Sequence, residues 1–176
     1  AAAKKVIVGD HEATLEGGLT NNIKWKFIDF GLNFTFSFGG KAYDAARWQH
    51  SNGGNFLYGG AVPAYYDINK MWTGPGDTKA TLPAFQYGNE AKIESSRWLM
   101  PTDYLRLKSL TLGLTAPNSW VSRIGLAKAR LYFSASNLFT LKSKDLYVDP
   151  EMPVSGLCVF ETPALRTFTF GVELGF

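Results

Sequence analysis

The residues that could do chemistry are few and scattered. Glu90 and Glu94 are the best carboxylate pair, and two carboxylates held at a suitable separation could serve glycoside hydrolysis in principle. They lie in a charge-mixed stretch that reads as solvated surface. Asp44, Asp67 and Asp77 are too dispersed for a calcium loop of the DxDxDG kind. His11 and His50 stand far apart, and Cys158 is the single cysteine, so a His-rich metal site, an internal disulfide and a multi-Cys zinc site are all disfavoured. Cys158 lies beside Leu157 and Val159 and reads as a small packing residue. No GxSxG, HExxH or phosphate-cradling glycine loop occurs. No catalytic residue, metal or cofactor is therefore expected, and the chain does not read as an enzyme. What remains is a set of aromatic rings, Trp48, Tyr65, Tyr66, Trp72, Phe85 and Tyr87, in one long connection. Such rings can stack on sugar faces, or pack against a partner that covers the loop.

The elements that must position these rings follow from composition and periodicity. The chain has 176 residues, 45% hydrophobic, 15% aromatic and 19% charged, with 18 glycines. That balance excludes a disordered tail and favours β structure with long loops. A net charge of +3 is too small and too scattered to argue for nucleic acid. No run of ~20 apolar residues is present to cross a bilayer as a helix. The opening AAAKKVIVGD lacks the apolar core of a signal peptide and does not begin with Met, which suggests a mature product or a fragment.

Alternation with period two dominates. Phe30, Leu32, Phe34, Phe36 and Phe38 fall on one face of a strand, with Gly31, Asn33, Thr35 and Ser37 on the other. Phe168, Phe170, Val172, Leu174 and terminal Phe176 repeat the pattern against Thr167, Thr169, Gly171, Glu173 and Gly175. Leu110, Leu112 and Leu114 continue it more loosely, and Leu131 and Phe133 alternate with Arg130, Tyr132 and Ser134. Five strands are expected, near 15–26, 28–38, 102–115, 127–140 and 163–176. The first pair should meet in a tight turn. The link 116–126 should form one short helical turn, capped by Asn118 or Ser119 after Pro117 and stopped by Gly125. Residues 39–101 and 141–162 become long connections. Short links alternating with long loops are the habit of outer-membrane barrels.

Alternation alone does not choose between a membrane barrel and a soluble sandwich. The polar face of strand two is only Gly, Asn, Thr and Ser, which suits a crowded lumen better than open water. Eleven residues at ~3.3 Å each, tilted by ~45°, span about 25 Å, the height of a lipid-facing band. Trp25, Phe27 and Trp120 near the short turns, and Trp98 and Tyr104 on the long-loop side, are expected as interfacial rings. Five strands cannot close a barrel, so the remainder is expected from polypeptide outside these residues. The alternative is a soluble secreted carbohydrate-binding β-sandwich.

Several segments then take on a family likeness. Asp103-Tyr104-Leu105-Arg106-Leu107-Lys108-Ser109-Leu110-Thr111-Leu112-Gly113 is similar to the YLRLKNVTLGY segment of SusC/RagA-type TonB-dependent transporters. Ser134-Ala135-Ser136-Asn137-Leu138-Phe139-Thr140 resembles their SGQNLFT strand end, and Asp149-Pro150-Glu151 their DPE. Arg166-Thr167-Phe168-Thr169-Phe170-Gly171 through Phe176 resembles their closing RTFTFGLNLTF. Gly39-Gly40-Lys41, Trp72 and Ser96-Arg97 also fall where that family has similar groups. Leu114 replaces a frequent Tyr.

The resemblance implies an all-β fold: about five antiparallel strands at the C-terminal end of a larger, 22-strand transmembrane barrel with a plugged lumen. It implies residence in the outer membrane of Bacteroidetes. The implied partners are the rest of the barrel and its plug, TonB acting through the absent plug segment, a SusD-like surface lipoprotein as lid, outer-membrane lipid and the barrel-assembly machinery. The implied cargo is an oligosaccharide or a peptide. Phe176 takes the place of the assembly signal, and the apolar faces named above become lipid-facing.

Overall fold

A computed structural model describes residues 6–50, 67–84, 94–151, 156–158 and 162–176. The chain divides into two compact units. The larger comprises Glu12–Gly40, Pro101–Glu151 and Thr162–Phe176. The smaller comprises Ala1–His11, Lys41–Met100 and Met152–Glu161.

The larger unit is one antiparallel sheet. Its strands are β1 (Leu15–Trp25), β2 (Ile28–Phe38), β5 (Tyr104–Thr115), β6 (Lys128–Lys142) and β8 (Thr167–Gly175), in the order β1-β2-β5-β6-β8. Consecutive strands are neighbours throughout, a meander. β1 and β2 join through the two-residue turn Lys26–Phe27, with Lys26 in the left-handed region (φ 52°). β5 and β6 join through the short helix α2 (Asn118–Val121) and a 3-10 turn, Ser122–Ile124. The cap differs from the expected Asn118 or Ser119. Pro117 holds that position, its fixed φ suiting a helix entrance, and no side chain caps the turn. Gly125 does stop it, at φ 76°, where a side chain would be strained.

Register gathers every alternating apolar position onto one face. Phe30 opposes Leu112, which opposes Phe133, which opposes Phe170. The next row reads Leu32, Leu110, Ala135 and Phe168. Phe36 lies over Gly17 of the edge strand β1, where a Cβ would sit 2.9 Å from the ring. The ring thus fills the gap that glycine leaves.

The looseness of β5 has a local cause. Register shifts between Leu107 and Ser109 on β5, opposite Asn33 and Phe34 on β2. The extra residue is Lys108. Strict alternation would put Leu105 and Leu107 on the opposite face from Leu110, Leu112 and Leu114. The bulge resets the phase, so all five share the apolar face. On β6, Asn137 takes a left-handed conformation (φ 53°) at the matching level. Asn accepts that conformation more readily than most residues.

The smaller unit holds a three-stranded sheet in the order β4-β3-β7, from β4 (Leu99–Pro101), β3 (Lys41–Asp44) and β7 (Leu157–Cys158). β3 and β7 run parallel, pairing Tyr43 with Leu157 and Asp44 with Cys158. Helix α1 (Ala45–His50) follows β3, and Asp44 Oδ1 accepts from the Arg47 N–H (2.8 Å) at its start. Ala42, Trp98, Met100 and Cys158 are buried here. Trp98 corrects an expectation. It is 2% exposed, a core residue rather than an interfacial ring. The 3-10 turn Ser96–Trp98 leads straight into β4 and carries the ring inward, with the Arg97 guanidinium 5.0 Å from its centroid.

Candidate functional site

The large sheet presents two chemically opposite faces, and each is a candidate surface. The apolar face is exposed. Phe168 and Phe170 are 55% and 79% exposed, against the burial that a sandwich core would require of them. Phe133 touches both, with ring centroids 6.3 Å and 4.8 Å away. Leu112, Leu114, Leu131, Val172 and Leu174 are exposed beside them, and so is terminal Phe176. Phe30, Leu32, Phe34 and Phe36 are half-covered by their neighbours, while Phe38 is exposed at the end of β2. Trp25, Phe27 and Trp120 are exposed at the short-turn end. Tyr104 sits instead on the polar face, opposite Ser37 and Lys142.

The polar face carries more charge than β2 and β8 suggest, concentrated on β5 and β6. Arg106 is 2% exposed and held by three side chains. Its Nη2 donates to Asp149 Oδ1 (2.6 Å), its Nη1 to Glu151 Oε2 (2.9 Å), and its Nε to Thr140 Oγ1 (3.0 Å). Thr140 is reached because it stands directly opposite Arg106 in register. Lys108, the bulge residue, donates to Glu151 as well (2.6 Å). Asp149 then ties the connection to itself. Its Oδ1 accepts from the Glu151 N–H (3.0 Å) and its Oδ2 from the Ala164 N–H (3.0 Å). The result is a clamp that fastens the loop after β6 onto the wall.

Burial pushes the Asp149 carboxyl up. The N–H groups of Glu151 and Ala164, with the Arg106 guanidinium, pull harder the other way, and the group rests below the usual carboxylate value. The motifs YLRLK and DPE are thus two halves of one ion-pair network. In sequence the two motifs lie far apart, and nothing local joins them. The available signal was Arg106 and Lys108 on a wall otherwise rich in small neutral groups, with two carboxylates in the next loop.

A second ion pair crosses the sheet nearer the short turns. Arg130 Nη2 donates to Asp29 Oδ2 (2.5 Å) over β5, and Gly113 lies beneath it. A Cβ at Gly113 would collide with both partners. Gly171 likewise leaves room for the Tyr132 ring. The glycines of the polar face thus make space for charged and aromatic neighbours.

Of the aromatic candidates of the long connection, Trp48 and Trp72 lie among the described residues. Trp48 is half-buried on α1, and Trp72 is exposed beside a bridge between Met71 and Leu82. Tyr65, Tyr66, Phe85 and Tyr87 lie outside the described residues. Asp67 and Asp77 serve local turns. Asp67 accepts from the Asn69 N–H, and Asp77 from the N–H groups of Thr73, Lys79 and Ala80. Among the described residues no group of three His, Cys, Asp or Glu side chains could hold a metal ion. No helix among them is long and apolar enough to cross a membrane, which says nothing about strands.

Comparison with known proteins places this geometry. No family model matches the chain. It is 28% identical to TonB-dependent receptor P3 of Formosa agariphila over 187 residues, covering 100% of the chain and 18% of that protein. It is 23% identical to TonB-dependent receptor P39 of the same organism, covering 86% of the chain and 14% of that protein. Its fold matches part of the RagAB peptide transporter, with TM-score 0.76 and 24% identity, covering 97% of the chain and 18% of the solved chain. The RagAB peptide importer in its closed-closed state matches with TM-score 0.74 and 23% identity over the same shares. The chain therefore spans less than a fifth of the proteins it resembles. Its fold is that of a β-barrel segment, and its relatives are TonB-dependent receptors, as the motif resemblance to SusC/RagA-type transporters implied.

Proposed function

We propose that this chain forms the closing strands of a TonB-dependent outer-membrane importer of the SusC/RagA type. The observation that carries this reading is the partition of one open sheet. A continuous apolar surface lies exposed on one side, and a clamped, charged surface lies on the other. In water such an apolar area would be a liability. Against hydrocarbon it is the required outer wall, and the polar side lines a lumen. β1 and β8 each leave a backbone edge unpaired among the described residues, and lipid does not tolerate that. Further strands of the same barrel pair with both edges.

In this role the chain carries no chemistry. It supplies lipid-facing wall through Phe30, Leu32, Phe34, Phe36, Phe38, Leu110, Leu112, Leu114, Leu131, Phe133, Phe168, Phe170, Val172 and Leu174. It supplies extracellular loops, among them the clamped one, for contact with a SusD-like lipoprotein. Trp48 and Trp72 serve that contact or the cargo, an oligosaccharide or a peptide. TonB acts through a plug that other residues of the importer provide. Phe176 serves as the assembly signal, since its phase continues the apolar face of β8 and strand addition reads alternate side chains.

The test is fractionation of the full-length protein. It is expected in the outer membrane as a heat-modifiable barrel, and deleting Phe176 is expected to lower the inserted amount. Recovery as a soluble protein refutes the barrel. Undiminished insertion without Phe176 refutes the signal.

A further inference from the structure

The short-turn end of the apolar face is not flat. It holds a groove of about 620 Å³. Leu114, Leu131, Val172 and Leu174 line it, with Phe27 and Trp120 among the lining residues. The link between β5 and β6 borders the groove through Pro117 and Trp120. Val121 is buried and anchors that link, the Leu126 N–H donates to the Val121 carbonyl (3.0 Å), and Trp120 is left 68% exposed. Ala116 and Ala129 also line the space and are too small to fill it. The one charged residue of the described lining is Arg130, whose guanidinium is already bonded to Asp29.

Charge near this groove is one-sided. Lys26 in the β1–β2 turn and Arg123 in the link are exposed, and neither has an ion pair among the described residues. Lys26 lies over the Trp25 ring, with Nζ 5.2 Å from its centroid. The carboxylates of this end are taken, Asp29 by Arg130 and Glu173 by Lys128. An apolar trough at the level where Trp and Phe mark the lipid boundary, with unpaired cations in the turns beyond it, matches an amphiphile with an alkyl chain and an anionic head.

We infer that this groove is a binding site for one phospholipid of the leaflet at the short-turn end. An acyl chain lies along Leu114, Leu131 and Val172 beside Trp120, and the phosphate meets Lys26 and Arg123. The inference rests on the barrel reading above, because only a membrane wall presents this face to lipid. Among hydrocarbon tails or detergent the chain gains packing contact with the groove walls, with no burial from water. The cations select the headgroup and add charge-assisted contacts.

The test is native mass spectrometry of the full-length protein, extracted in detergent, washed free of lipid and titrated with phosphatidylglycerol or with phosphatidylcholine. The intact groove is expected to hold one phosphatidylglycerol. Ala129→Phe, which fills the floor, is expected to weaken it by about tenfold through lost packing contact. Trp120→Ser alters only an exposed ring, so it tests the same wall should Ala129→Phe fail to assemble. Lys26→Gln with Arg123→Gln is expected to remove the preference for phosphatidylglycerol over phosphatidylcholine while retaining chain binding. Equal titration of the unaltered protein and the groove variants overturns the site, as does capture of a polypeptide there in place of lipid. If those titrations coincide while the protein still fractionates as a heat-modifiable membrane barrel, the groove proposal falls and the barrel reading stands. Recovery as a soluble protein removes both.

Discussion

Replacing Phe168, Phe170, Val172 and Leu174 by lysine, one at a time, tests what solvent the apolar face meets. These four occupy alternate positions on one edge-side strand and point the same way. A step of two residues advances about 6.8 Å along a strand, or roughly 4.8 Å in height at a tilt of ~45°. Leu174 therefore lies about 14 Å below Phe168, close to the boundary marked by Phe27 and Trp120. Phe168 shares a row with Leu32 and Leu110 near the middle of the sheet. In a bilayer the cost of lysine follows depth. It should be about 2–4 kcal/mol at Phe168 and fall stepwise to about 0–1 kcal/mol at Leu174.

In water the cost would follow lost contact instead. Exposures of 55%, 79%, 64% and 51% would make Phe170 the mildest site and Leu174 as costly as Phe168. Surface substitutions of that kind stay within about 0.5 kcal/mol. The two solvents thus predict different orders along the same strand. The assay is equilibrium folding of the whole protein into phospholipid vesicles, read by heat-modifiable mobility on gels. A monotonic fall from Phe168 to Leu174 supports the lipid face. A minimum at Phe170, or four near-zero values, refutes it.

The clamp makes its own predictions. Arg106→Met leaves Asp149 and Glu151 without their buried partner and should cost about 3 kcal/mol, the low end for such a break because Glu151 is 30% exposed. Hydrogen exchange should show the loop after β6 loosening before the sheet does. Acid should release the same loop. Because the folded Asp149 value lies below its ordinary 3.8, its stabilisation is complete above that value and is lost as pH falls through the lower folded one. Asp149→Asn should abolish that acid step, measured as loop exchange against pH. On the polar face, Gly171→Val drives a side chain into the Tyr132 ring and should cost about 1–3 kcal/mol in folding, read in the same vesicle assay.

Several features were readable from residue order alone because they depend on neighbours in the chain. Alternation over Phe30–Phe38 and Phe168–Leu174 decides which side chains share a face, whatever the sheet pairs with. Gly125 marks the end of the link because few other residues accept its backbone angle. Whether a motif such as HExxH occurs is legible for the same reason, since such motifs are local.

Other features depend on distance in space and were out of reach. Trp98, on the long-loop side, and Trp120, near a short link, both read as interfacial rings in sequence. One is carried into a core by a 3-10 turn, and the other stays exposed in the link that carries the buried Val121. Which fate applies depends on what packs beneath, and that is not local. The Lys108 bulge was visible only as untidy periodicity, because a bulge is a property of two paired strands. The Arg106–Asp149–Glu151 network and the Arg130–Asp29 pair join residues 43, 45 and 101 positions apart. Order along the chain thus determined the chemistry of the faces of the regularly alternating strands β2 and β8. Only the tertiary structure decided which charges meet, because pairing follows register, and register is set by the whole sheet.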